Sequence, residues 1–441
     1  MKFRGGIVGS RQDSIAFVAQ TLAISSPAIS RGEEETMACN FETLRAFAIA
    51  SAMAASLGTA SAIAQETDTP SPSASAAHVG FTLSPPLKIK EEGTIAAGAQ
   101  MLKDPGPDGG EFHYDYLQAN YSIPAGAHDN SLIMWHGCLG AAWERRPDGK
   151  GPGFKALMLQ RHWGVFVIDQ PRISRGARGL GAYGPFPAVT QGRDCASFAT
   201  FRYGSWFPPA PRQFFPGVQL AQDPASVSEL CELSGSAGGP SFPFSNVDPL
   251  SQTTPPSNVQ VIAGADLIDK KAGENGGVVI VDHSNGGQYG LLTAIRSPKV
   301  KGIVSFEGAT FVFPASAPPP DIQTNDPSVA AINEPTLVSD DNFAKLTRIP
   351  IVYYFGDNID FDTPSTVFGV ELWRVVTQRA KQFCKAVNDR GGDCQVVFLP
   401  DIGIKGNTHF LFADQNNVQI ADLVNEWLES KKLDESKKLD K

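Results

Sequence analysis

Basic residues are in deficit. The 441 residues carry 37 Lys and Arg against 46 Asp and Glu, a net charge of −9. Such a chain lacks the positive footprint of a nucleic-acid binder. Long apolar runs are scarce too. The most prominent, residues 46–64, is built of Ala and Ser rather than Leu and Ile, which disfavours a stable bilayer span. It ends Ala62-Ile63-Ala64 before Gln65-Glu66-Thr67-Asp68, as an export signal cleaved after Ala64 would. Met37 is a natural start for that signal, leaving residues 1–36 as an upstream extension. Cysteine is sparse: six residues, of which Cys138, Cys195, Cys231, Cys384 and Cys394 lie beyond the expected cleavage. Export permits disulfides, and an odd number leaves one thiol over. The pairs expected are Cys195–Cys231 and Cys384–Cys394, with Cys138 free.

What is present is ordinary for a globular chain: 42% apolar and 19% charged residues, enough for a sizeable core. Residues 1–64 read as extension plus signal and 65–90, rich in Ser, Thr, Pro and Ala, as a flexible lead-in. Residues 91–430 read as one domain and 431–441 as a charged, solvated tail. Within the domain, residues 112–124 alternate as an antiparallel edge strand should. Apolar runs at 131–135, 165–169, 278–281, 300–306, 349–355 and 395–399 read as buried strands. Helical patterns at 370–388 and 417–428 lie between or after the later ones. This alternation predicts an α/β fold, a mostly parallel doubly wound sheet of about eight strands with helices on both faces. Residues 172–272 interrupt the rhythm. They are rich in Pro, Gly, Ser and Phe, and so long an irregular segment predicts a lid or cap inserted over a site. Its Trp206 and Phe207, with Phe410 further on, are candidates to line a substrate pocket.

The stretch Gly277-Val278-Val279-Ile280-Val281-Asp282-His283-Ser284-Asn285-Gly286-Gly287 carries the chemistry. A β-branched run stops at a serine and a glycine pair follows, as at a strand–turn–helix elbow with an exposed nucleophile. The usual pattern is G-x-S-x-G; here Asp282 replaces the first glycine. A serine hydroxyl needs a base, and among seven histidines His409 stands out. It lies in a glycine-punctuated loop after the last strand, at the same carboxyl edge as Ser284. The acid that orients it has competing candidates: Glu307, where one strand ends, and Asp357 or Asp360, after the next. Oxyanion donors are expected from the backbone N–H of Asn285 and of Cys138, in the turn His136-Gly137-Cys138-Leu139. His136 is expected to brace that turn.

These stretches resemble the α/β-hydrolase superfamily, and more narrowly a small group of secreted bacterial serine esterases. The resemblance rests on Trp135-His136-Gly137-Cys138 with Trp143-Glu144, Val167-Ile168-Asp169-Gln170, His283-Ser284, Ile303-Val304-Ser305-Phe306-Glu307 and Gly406-Asn407-Thr408-His409. In that group the acid follows the strand after the elbow, which implies Glu307. It also implies hydrolysis of small carboxylic esters with no metal and no cofactor. The group carries adjacent cysteines at the oxyanion turn; here Leu139 follows Cys138. The expected protein is thus an exported hydrolase of hydrophobic or aromatic esters, without stable membrane insertion after cleavage and of undetermined oligomeric state. A lactonase using the same triad and a non-catalytic binder on the same scaffold are the other readings.

Overall fold

The computed structural model describes residues 86–103, 110–136, 140–171, 198–206, 210–234 and 259–435. The expected signal, residues Cys138, Phe207 and Cys195, and the side chain of Cys231 lie outside the described residues, and so does the expected Cys195–Cys231 pair. The core is an eight-stranded sheet. Its strands are β1 Ile89–Ala97, β2 Leu117–Pro124, β3 Ser131–His136, β4 Gly164–Asp169, β5 Val278–His283, β6 Val300–Phe306, β7 Pro350–Phe355 and β8 Asp393–Phe398. They lie in the order β1-β2-β4-β3-β5-β6-β7-β8. Pairings β1/β2 and β2/β4 are antiparallel; the rest are parallel. The expected buried strands are all present, with ends moved by a residue or two, whereas β2, expected at a sheet edge, has β1 outside it. The antiparallel run at 112–124 is broken at Asp115, whose φ is 54°. A short strand, Glu111–Tyr114, therefore pairs elsewhere, with Gln100–Lys103.

Strands β3, β4 and β5 are buried along their whole length. A strand covered on both faces needs apolar residues at successive positions, hence the continuous Val and Ile runs. The period of two divides them between two cores. Ile133, Trp135, Ile280, Ile303 and Ile351 face one side; Leu132, Met134, Val279, Val281, Val304 and Val352 face the other. The first side is covered by α3 Val259–Leu267, α4 Gly286–Arg296 and α5 Phe368–Asn388, and the second by α1 Phe154–Gln160 and α6 Asn417–Ser430. Helix α2, Pro224–Ser234, lies in the expected insert.

Three expectations change. Helix α3 and the turn Ile268–Ala272 that follows it belong to the covering layer. Val261, Ala263, Leu267, Ile268 and Ala272 are buried in the first core, so the insert ends before residue 259. Lys431 and Leu433 are docked rather than solvated: Leu433 is buried, its carbonyl accepts from Asn130 Nδ2 at 2.7 Å, and Lys431 pairs with Asp393 at 2.6 Å. The described part of the insert at 198–206 and 210–220 is not a free lid. It is hydrogen-bonded into the loop that carries His409, as described below. The Cys384–Cys394 disulfide is present, joining the last turn of α5 to the start of β8 with a Cα separation of 4.9 Å. Among the described residues no helix is long and apolar enough to cross a membrane.

Candidate active site

The sheet reverses its winding at β3: β4 lies on one side of it and β5 on the other. Ligands gather outside the carboxyl ends of strands at such a point. Register places His136 of β3 beside His283 of β5, and His283 beside Phe306 of β6. The next residues, Ser284 and Glu307, therefore emerge side by side at this rim.

Ser284 has φ 57°, the left-handed conformation a non-glycine residue adopts only when its surroundings impose it. Main-chain bonds do so here. Its N–H donates to the Phe306 carbonyl at 3.2 Å, and its own carbonyl accepts from Ala309 at 2.8 Å and Gly287 at 3.1 Å. Helix α4 begins immediately after, and Gly286 is needed there: a Cβ at that position would stand 2.5 Å from the Trp135 carbonyl oxygen. Asn285 is the N-cap of α4 and makes no side-chain cap. Helix N-termini offer outward-facing N–H donors and a partial positive charge, so the position suits an oxyanion donor. The second expected donor, Cys138, is outside the described residues.

Glu307 also holds a left-handed φ, 50°, fixed by its N–H donating to the Tyr354 carbonyl at 3.0 Å. Its carboxylate is fully buried and has three partners. Oε2 accepts from His409 Nδ1 at 2.6 Å, while Oε1 accepts from the Gly356 N–H at 2.7 Å and from the Arg202 guanidinium. Asp357 does not reach His409. Its Oδ2 accepts from the Gly406 N–H at 2.8 Å and its Oδ1 from Asn358. Asp360 is exposed and turned onto the Asp362 and Thr363 N–H groups. Of the three candidate acids only Glu307 contacts the imidazole.

The loop that presents His409 is locked from within. Asp414 accepts from Asn407 Nδ2 and from both the N–H and the hydroxyl of Thr408. Gly406, at φ 80°, packs so closely that a Cβ would stand 1.9 Å from the Gly217 carbonyl oxygen. The His409 ring is boxed by the rings of His283 at 4.2 Å, Trp373 at 4.4 Å and Phe201 at 5.3 Å between centroids. His283 Nε2 donates to the His409 carbonyl at 2.9 Å, which ties the histidine to the residue preceding the serine. Among the described residues no hydrogen bond joins Ser284 Oγ to His409; such contacts are often long before substrate arrives.

No protein-family model matches the chain. It is similar to a bacterial esterase of known atomic-resolution structure, 26% identical, with a TM-score of 0.55 over 80% of this chain and 99% of that one. It is also similar to a fungal protein described as a probable secreted lipase, phiG, from Fungal sp. (strain ATCC 74256). That protein is 25% identical over 326 residues, or 68% of this chain and 80% of the other. The chain has the α/β-hydrolase fold.

In that fold the electrostatics of the rim suit a neutral base beside an anchored acid. Burial, with Arg202 and His136 nearby, holds the His409 imidazole well below its usual value. It is therefore uncharged at neutral pH, the form that can take a proton. Burial pushes the Glu307 carboxyl up, and Arg202 and the Gly356 N–H oppose that push. His136 is lowered to about 3 by burial and is neutral; it packs between the rings of Trp143, His283 and Phe410. One sequence expectation moves. Phe410 is only 2% exposed and packs inward on His136, His283 and Phe412, so it supports the hydrolase core instead of lining a pocket. Trp206 lies in the insert with the Arg212 guanidinium 4.6 Å over its ring. Arg202, Phe201 and His283 were not anticipated. The only sequence signal for Arg202 was a cation set between aromatics in Phe201-Arg202-Tyr203. Among the described residues no cluster of ligands could hold a metal.

Proposed function

We propose that the protein is an exported serine hydrolase of carboxylic esters, acting through an acyl-enzyme. Ser284 attacks the acyl carbon while His409 takes its proton and then passes it to the leaving alcohol. Glu307 keeps the imidazole in the tautomer whose Nε2 faces the serine and stabilises the imidazolium that forms. The N–H groups of Asn285 and Cys138 receive the oxyanion. Water, deprotonated by His409, then releases the acid. The observation that carries this reading is the buried 2.6 Å His409–Glu307 pair at the rim where Ser284 is held at φ 57°. The likeness to a bacterial esterase supports ester hydrolysis as the activity. The aromatic character of the segment around Phe201, Trp206, Phe214 and Phe215 favours a hydrophobic or aromatic substrate group. Export is supported by the Cys384–Cys394 disulfide and by the likeness to a protein described as secreted; cleavage after Ala64 rests on the Ala62-Ile63-Ala64 motif alone.

A fluorophosphonate probe tests the reading directly. It should add one phosphonyl group at Ser284, abolish turnover of p-nitrophenyl esters, and leave Ser284→Ala unlabelled. Ser284→Ala should lower turnover by about 10⁴–10⁶. Labelling at another serine, or full turnover in the variant, would refute the mechanism.

A further inference from the structure

Glu307 shares its carboxylate between His409 and a residue of the insert. Arg202 Nη2 donates to Glu307 Oε1, and Arg202 Nε donates to the Asp357 carbonyl at 2.8 Å. The guanidinium lies over the Trp373 ring at 5.1 Å and is 2% exposed. Its Nη1 is buried with no hydrogen-bond partner among the described residues, a cost that a simple structural cross-link would avoid. Arg202 itself has φ 59°, and its neighbours grip the same site. The Thr200 carbonyl accepts from Trp373 Nε1 at 2.5 Å, and the Phe201 carbonyl accepts from the His409 N–H at 3.0 Å. Seventeen residues beyond Arg202 the chain returns to the histidine loop: Gln219 donates to the Gly406 carbonyl and accepts from the Gln415 N–H, both at 2.7 Å.

We propose that Arg202 is a positioning residue for the reaction, holding Glu307 ionised and turned onto His409, so that the catalytic array is complete only with the stretch around Arg202, residues 198–206, docked. This rests on the Ser284–His409–Glu307 reading above. Two carboxylate oxygens divided between a fixed cation and an imidazole leave one orientation in which both bonds are short and straight. A buried carboxyl without a cation takes up a proton instead. A protonated Glu307 could not stabilise the imidazolium. The other titratable groups facing the pair are Asp414, which feels the Glu307 charge, and His136 and His283, both kept neutral by burial. None of them can replace the cation.

The test is the pH profile of Arg202→Gln, with Arg202→Lys as the charge-retaining control. Loss of the cation raises both Glu307 and His409, so the acid limb of kcat/KM in Arg202→Gln should move up by about 1–2 pH units. At pH values below the parental limb kcat/KM should fall about 10–100-fold, for a shift of that size, with a much smaller loss at pH values above both limbs. Arg202→Lys should return the limb to within about half a unit of the parent. An Arg202→Gln limb at the parental pH, with kcat reduced uniformly, overturns the proposal and leaves only a packing role. Near-UV circular dichroism checks folding. If Arg202→Gln does not fold, Arg202→Lys decides, because a lysine limb displaced by about a full unit or more means that charge is not what matters. Ser284→Ala separates the two claims. If it is inactive and the limb of Arg202→Gln does not move, the arginine proposal alone fails. If it retains turnover, the triad reading fails with it.

Discussion

Glu307→Gln is the sharpest perturbation of the proposed chemistry. The substitution keeps the side chain's shape and replaces one carboxylate oxygen by an NH₂ group. In the present structure both oxygens accept: one from His409 Nδ1 at 2.6 Å, the other from Arg202 and the Gly356 N–H. A glutamine has one accepting oxygen. If that oxygen stays with Arg202 and Gly356, its NH₂ faces Nδ1 and the imidazole must accept there. The proton then sits on Nε2, and the lone pair that should take the serine proton is gone. Loss of the correct tautomer in other serine hydrolases costs about 10⁴ in turnover, equal to roughly 5.5 kcal/mol of barrier. A second effect falls on stability. Arg202 is left buried beside a neutral amide, and a broken buried pair costs about 3–5 kcal/mol. Asp357→Asn is the control: it too loses one of two accepting oxygens, to the Gly406 or the Asn358 N–H, but neither contact touches the imidazole. It should hold kcat/KM within about tenfold. Initial rates on a p-nitrophenyl ester and thermal melts measure both effects. A larger loss in Asp357→Asn than in Glu307→Gln would falsify the assignment of the acid.

Other perturbations probe the frame around the site. Gly286→Ala would put a Cβ 2.5 Å from the Trp135 carbonyl oxygen, forcing α4 off β3. It should destabilise by about 1–3 kcal/mol and slow Ser284 phosphonylation, and a parental melt with a parental labelling rate would contradict the packing described. Replacing Cys384 and Cys394 together by serine removes a short cross-link at the far end of α5, lowering stability by about 2–3 kcal/mol with esterase rates preserved. Chemical denaturation with and without reductant reads that difference, and an unchanged midpoint would count against it. The pH dependence of stability has opposing parts. His136, His283 and His409 have folded values below their unfolded ones, so each costs stability as pH falls below about 6.5. Asp282 and Asp414, each raised to about 7 by burial, do the reverse: their stability is full below about pH 4 and is lost as pH rises to 7. The two sets offset. Asp282→Asn removes one term, so stability between pH 5 and 6.5 should fall with acidification by about 1.4 kcal/mol per unit more steeply than in the parent. An equal slope in urea titrations would show that Asp282 is ionised in the fold.

The alternation of strands and helices along the chain and the elbow at Ser284 are written locally in the chain. A run such as Val278–Val281 must be buried on both sides, and a serine followed by Gly286 and Gly287 marks where it turns. Such features involve residues adjacent in sequence, so composition and period reveal them. The acid is different. Glu307, Asp357 and Asp360 each follow a strand, and composition does not rank them. Their separation comes from the left-handed turn at Glu307 and from Asp357 turning onto Gly406, contacts between residues 49 apart. Resemblance favoured Glu307 where spacing was silent.

The insert is where sequence-level reading ended soonest. Pro, Gly and aromatic richness identify an irregular segment but say nothing about what it touches. Phe201 and Gln219 are stitched to a loop some two hundred positions later through backbone carbonyls and N–H groups, which every residue type possesses. The partnership of Arg202 with Glu307 spans 105 residues and leaves no periodic trace. Near neighbours in the chain therefore dictated the sheet, the elbow and the candidate nucleophile and base. Which carboxylate meets the imidazole, and which cation restrains that carboxylate, depended on the close approach of segments that only burial in a common core brings together.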